Sequence, residues 1–174
     1  VMDVGIRAIN ACLTIGKGQR IGLMAGSGIG KSILLGMINQ YARADVTVLA
    51  LIGERGREVN DFIKKFVPKD ILARTVVVAA PIDSLSIERL SAAEYAHAIA
   101  EYFRSQGKSV LLIFDSLTRY AHAQRELGLS LGEQATTKGY PPSVYHKLSS
   151  LIERAGVDSV SGGAITGIYT VLAE

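Results

Sequence analysis

The chain has 174 residues, 48% of them hydrophobic, enough for one domain with a sizeable buried core. Its formal charge of +3 is small and no run of five or more like charges occurs, so composition speaks against nucleic-acid or membrane-surface binding. A single cysteine, Cys12, excludes an internal disulfide, the three histidines stand at no metal-ligand spacing with it, and no apolar run reaches the roughly 20 residues of a bilayer span. Residues 1–5 lack a basic segment followed by an apolar one, and a reducing, cytosolic setting is the expectation. The chain opens on Val1 and closes directly after an apolar run, so an excised core without its flanking domains is the expectation.

In chain order, short apolar runs alternate with longer segments of helical period, the pattern of an α/β fold whose mainly parallel sheet carries helices on both faces. Strands are predicted at Arg20–Ala25, Val46–Ile52, Thr75–Ala80, Val110–Phe114 and Ala164–Leu172, rich in Val, Ile and Leu as doubly buried strands require. A helix runs from Lys31 to about Arg43. A second carries Val59, Phe62, Ile63 and Phe66 on one face, with Glu58, Asp61, Lys64 and Lys65 elsewhere. A third, from about Ile87 to Ser105, turns Ile99, Tyr102 and Phe103 inward and ends at Gly107 as its C-cap. Another begins near Leu117, and between Gly128 and Pro142 the periodicity fails, predicting an ordered loop. Cys12 reads as a small buried residue, and His97, His122 and His146 as helix residues that pack or face solvent.

After the first strand come Gly26-Ser27-Gly28-Ile29-Gly30-Lys31-Ser32 and then a helix, the strand–loop–helix context of a phosphate-binding loop. Glycines let the backbone turn tightly and aim N–H groups at phosphates, and the helix N-terminus adds partial positive charge. Lys31 is expected to reach the β- and γ-phosphates of ATP, and the Ser32 hydroxyl to ligate Mg2+. The candidate nucleotide-binding set is Gly26, Ser27, Gly28, Ile29, Gly30, Lys31, Ser32 and Ile33. Ala25 stands where the strict motif has a fifth-preceding glycine, a small change in bulk. A plain glycine-rich turn before a buried helix would leave Lys31-Ser32 unexplained.

The strand ending at Phe114 is followed by Asp115, a carboxylate placed to hold Mg2+ through a bound water. Taken alone, Asp115 serves equally well as the N-cap of the helix beginning near Leu117; next to a phosphate loop the metal role is favoured. Glu54, just past the second strand, lies at the same sheet edge and could orient and deprotonate an attacking water. The alternative for Glu54 is a solvated charged turn at the start of the next helix.

The octet from Ala25 to Ser32, Leu51-Ile52-Gly53-Glu54-Arg55-Gly56-Arg57-Glu58-Val59, Asp115-Ser116-Leu117-Thr118-Arg119 and Lys138-Gly139-Tyr140-Pro141-Pro142-Ser143-Val144 occur in that order. Together they resemble the type III secretion ATPases, which power protein export by flagella and virulence injectisomes, and the resemblance runs along essentially the whole chain. It implies a RecA-like P-loop NTPase core, a homohexamer with ATP at subunit interfaces, and Glu54 as the catalytic glutamate. It gives Arg55, Glu58 and Arg119 supporting roles around the γ-phosphate and the neighbouring subunit. Tyr140-Pro141-Pro142 matches a family loop near the interface, although a rigid surface turn fits it as well. Export chaperones, exported proteins and secretion-apparatus components are the implied partners, at the cytoplasmic face of the inner membrane. The family's N-terminal β-barrel, C-terminal helical region and interface arginine would lie outside residues 1–174, so this core should hold nucleotide better than it hydrolyses it.

Two other functions share the phosphate loop. A Rho-like or recombinase-like nucleic-acid motor is disfavoured by the near-neutral charge and the lack of a basic aromatic strip. A catalytically silent nucleotide-binding subunit of a rotary assembly is disfavoured by the presence of both Lys31 and Glu54.

Overall fold

The strands lie where the apolar runs predict them. In the protein's structure, a computed structural model that describes residues 1–26 and 28–173, they are β1 (Arg20–Ala25), β2 (Val46–Ile52), β3 (Thr75–Ala80), β4 (Ser109–Asp115) and β6 (Ala164–Leu172). All five run parallel in the order β1-β6-β4-β2-β3, and a two-residue strand, β5 (Gly156–Val157), pairs antiparallel with the start of β6. The last strand in sequence is therefore inserted between the first and the one that ends in Asp115.

Because successive residues of a strand face opposite ways, the sheet builds two cores. On one face Val48, Ala50, Ile52, Val110, Leu112, Phe114, Ile165 and Tyr169 meet α5 (Ser86–Ser105), α6 (Leu117–Ser130) and α7 (Pro142–Glu153). On the other, Leu49, Leu51, Leu111, Ile113 and Ile168 are covered by α2 (Lys31–Tyr41), α3 (Gly56–Phe66) and the N-terminal segment through Met2, Val4 and Ile15. Two short helices, α1 (Arg7–Cys12) and α4 (Lys69–Leu72), complete the set.

Several expectations are corrected. The inward face of α5 is Leu90, Ala93, Ala96, His97 and Ala100, whose small side chains let the helix lie close to the sheet. Tyr102 is two positions, or about 200°, round from Ala100 and is 59% exposed; Ile99 and Phe103 are half-buried. Cys12 is exposed, at the end of a helix with no buried residue. α2 stops at Tyr41, short of Arg43, because Ala42 is extended and Arg43 turns to Asp3, with its N–H donating to the Asp3 carbonyl (2.9 Å). α6 continues to Ser130, inside the segment expected as loop; Thr137–Gly139 form a 3-10 turn, and Pro142 opens α7 at a position where a missing N–H costs nothing. His97 packs as expected: its Nδ1 contacts the Ala93 carbonyl (2.9 Å), its Nε2 the Tyr169 hydroxyl (3.2 Å), and burial holds its pKa below the ordinary value. His146 faces solvent.

Candidate active site

At the carboxyl ends of the parallel strands the chain leaves a cleft of about 500 Å³. One wall is the glycine loop and the start of α2, from Gly26, Gly28 and Gly30 to Lys31, Ser32 and Ile33. The second is Glu54, Arg55 and Glu58 after β2, and the third is Thr118, Arg119 and His122 on α6, with Leu172 and Ala173 beyond β6. Ser27 lies outside the described residues, and Ile29, between two glycines that line the cleft, is exposed and not itself part of the lining.

Gly30 caps α2 with φ of 94°, a left-handed conformation that side chains resist, although a Cβ built there would meet nothing within 4 Å. The backbone conformation, not space, calls for glycine. The first backbone bond into the helix is Leu34 N–H to the Gly30 carbonyl (3.0 Å), so the N–H groups ahead of it have no partner within the helix and give that end of the cleft an anion-accepting character.

Lys31 extends across the cleft. Its Nζ is 2.5 Å from Asp115 Oδ1 and 3.9 Å from Glu54 Oε1. The three are largely withdrawn from solvent, with Asp115 only 5% exposed in its side chain. Sheet register accounts for the meeting: Leu51 on β2 is level with Asp115 on β4, and Glu54 follows three residues later. The helix after Asp115 is capped by Ser116, whose Oγ accepts the Arg119 N–H (3.3 Å), so the capping role open to Asp115 is filled by its neighbour.

Glu54 carries an elevated pKa, chiefly because burial penalises its charge and secondly because Asp115 repels it; Lys31 and Arg119 oppose the rise. Its Oε1 is buried without a hydrogen bond. The shift strengthens it as a base relative to an ordinary carboxylate. Arg119 lies against Gly53, where a Cβ would stand 2.7 Å from the Arg119 Cβ, and its buried Nε also lacks a hydrogen bond. Arg55 is exposed at the rim and paired with Glu58 at 3.1 Å.

Ser32, Glu54, Glu58 and Asp115 also bound a recess of about 30 Å³ floored by Leu51, Val59 and Phe62. That is room for a water or a small ion, surrounded by hard oxygen donors of the kind Mg2+ selects. Among the described residues no group of three or more His, Cys, Asp or Glu forms a self-sufficient metal site. A metal held by one or two side-chain oxygens and by phosphates fits this donor set.

Some lining residues escape sequence reasoning. Thr118 stands within a recognised motif without an assigned task, and its Oγ1 accepts the Leu172 N–H (2.9 Å). His122, expected to pack or face solvent, lines the cleft and stacks on Tyr140 with ring centroids 6.2 Å apart, while Arg125 covers the same ring at 5.4 Å. Thr170, fully buried on β6, donates to Asp115 Oδ1 at 2.6 Å. Its one signal in the sequence is a hydroxyl recurring at Thr166 and Thr170 along an otherwise apolar strand.

A glycine loop before a helix, a strand-end carboxylate and an intervening strand define a RecA-like P-loop nucleotide-binding domain. Residues 5–174 match the nucleotide-binding domain of the ATP synthase alpha/beta family, and the chain belongs to that family. It is 61% identical over 174 residues to the flagellum-specific ATP synthase of Salmonella typhimurium, and 59% identical over 173 residues to that of Pseudomonas aeruginosa. These alignments cover 100% and 99% of this chain but 38% of each relative. The chain thus spans less than two fifths of the length of the curated relatives it matches. Among solved structures it is similar to the assembled ATPase EscN in complex with its central stalk EscO, from the type III secretion system of enteropathogenic E. coli. The TM-score is 0.95 at 55% identity, over 99% of this chain and 42% of that one. No helix among the described residues is long and apolar enough to cross a membrane.

Proposed function

We propose that this chain is the ATP-binding core of a magnesium-dependent ATPase that powers type III protein export. The convergence of Lys31, Asp115 and Glu54 beside a glycine loop carries the reading. The loop and the first turn of α2 cradle the phosphates, and Lys31 moves from Asp115 to the β- and γ-phosphates. Ser32 and Asp115 would hold magnesium, Asp115 through a water. A magnesium ion bound there would supply positive charge to offset the charge that develops on the phosphates as the terminal bond breaks. Glu54 orients the attacking water and takes its proton, a task its raised pKa suits. Arg119 and Arg55 steady the γ-phosphate side, Arg119 from its seat on Gly53.

Similarity to flagellar ATP synthases and to the assembled EscN supports export as the work performed and an oligomer as the working form. In this reading the oligomer is a homohexamer with nucleotide at its subunit interfaces. Secretion-apparatus components, export chaperones and exported proteins are the partners, and release or unfolding of export substrates is the task. The site of action is the cytoplasmic side of the inner membrane.

The test is phosphate release and nucleotide binding in the intact full-length protein. Glu54→Gln is expected to keep nucleotide affinity and to lose about 100-fold or more in turnover, while Lys31→Ala loses binding. Equal turnover in Glu54→Gln and wild type would sink the assignment. Strong stimulation of turnover by single-stranded RNA or DNA would instead favour a nucleic-acid motor.

A further inference from the structure

We propose that Thr170 is a positioning residue for the metal-holding carboxylate, its hydroxyl fixing Asp115 when Lys31 is drawn away to the phosphates. The inference rests on the reading of Asp115 as the magnesium carboxylate.

Asp115 Oδ1 accepts two donors, Lys31 Nζ at 2.5 Å and Thr170 Oγ1 at 2.6 Å. The two differ in what nucleotide does to them. Lys31 is on the glycine-loop side of the cleft and its charge is needed at the phosphates. Its departure leaves a nearly buried carboxylate with one fewer donor, and a lone buried charge is costly. Thr170 has nowhere to go. It is fully buried in β6, level with Leu23 of β1, and the pairing of Phe114 with Tyr169 makes Asp115 and Thr170 the next residues on neighbouring strands.

The strand itself is pinned just beyond, where the Leu172 N–H donates to Thr118 Oγ1 on the helix that follows Asp115. A β-branched side chain in a packed strand has little χ1 freedom, so the hydroxyl stays aimed. Among the described residues its only other acceptor is the Phe114 carbonyl, at a long 3.4 Å. With one oxygen held from the strand side, the carboxylate is oriented for magnesium before the metal arrives, and β6, lying between the strand of the phosphate loop and that of Asp115, links the two.

The experiment uses the full-length protein carrying Thr170→Val, Thr170→Ala or Thr170→Ser and measures the dissociation constant of a fluorescent ATP analogue in excess Mg2+ and in EDTA. Val and Ala are expected to weaken Mg2+-dependent binding by about tenfold, the scale of a hydrogen bond to a charged group, while leaving the affinity in EDTA within about twofold. Ser is expected to restore most of the Mg2+ response. A folded Val or Ala variant with the wild-type ratio of the two affinities overturns the proposal. So does an equal loss in both conditions, or failure of both variants to fold, since the hydroxyl then serves only the fold. Absence of any Mg2+ effect in the wild type would instead overturn the metal role of Asp115, a failure visible before any variant is made.

Discussion

Replacing Lys31 by Met tests whether, without nucleotide, the site is held together by its own charges. The methionine keeps most of the stem that packs beside the glycine loop and removes the ammonium. Asp115, with 5% of its side chain exposed, then keeps Thr170 as its donor and faces a second carboxylate, Glu54, with no cation between them. Breaking one side of a buried ion pair costs about 3–5 kcal/mol, and at about 2–4 °C per kcal/mol for a chain of this size the midpoint should fall by about 6–20 °C. The assay is urea and thermal unfolding of the nucleotide-free chain at neutral pH. A second variant isolates the cause: Lys31→Met combined with Asp115→Asn leaves no unpaired charge on Asp115 and should recover at least about 1 kcal/mol over the single Lys31→Met variant. The penalty in Lys31→Met should also shrink at acid pH, as Glu54, whose pKa burial and Asp115 already raise, takes up a proton. A Lys31→Met chain as stable as wild type, or strictly additive losses in the double variant, would refute the idea that Lys31 neutralises this site.

Glu54→Gln should also change the pH dependence of stability. Because burial and Asp115 raise the folded pKa of Glu54 above the ordinary 4.5, its proton stabilises the fold below that value and the contribution is lost as pH rises through the raised one. The Gln variant should therefore gain on wild type from about pH 4.5 toward neutrality, read as the difference in unfolding free energy across pH 4 to 8; a flat or inverted difference would contradict it. Gly53→Ala should lose about 2–4 kcal/mol in urea unfolding, from a left-handed φ of 75° and a Cβ only 2.7 Å from that of Arg119. It should weaken nucleotide binding as Arg119 is displaced, and an alanine variant of wild-type stability would show that neither constraint holds.

Much of this molecule is legible locally. Runs such as Val46–Ile52 announce buried parallel strands through composition alone, and Gly26 to Ser32 carry the pattern on which the proposed phosphate site rests, because left-handed backbone, a helix start and a lysine are properties of adjacent residues. Where periodicity misleads, the causes are tertiary. Tyr102 looks like a core residue until the small face of α5 is seen against the sheet, and Cys12 is apolar yet ends a helix that only half-buries Ile9.

The sequence by itself determined which groups are present for the chemistry: a lysine and serine at a helix start, a carboxylate at a strand end and a glutamate past another. Only the tertiary structure decided which of them meet. Lys31 and Asp115 are 84 positions apart and Asp115 and Thr170 are 55 apart, and no local pattern encodes either contact. They form because β6 enters the sheet between β1 and β4, a choice of strand order made by the packing of both faces at once.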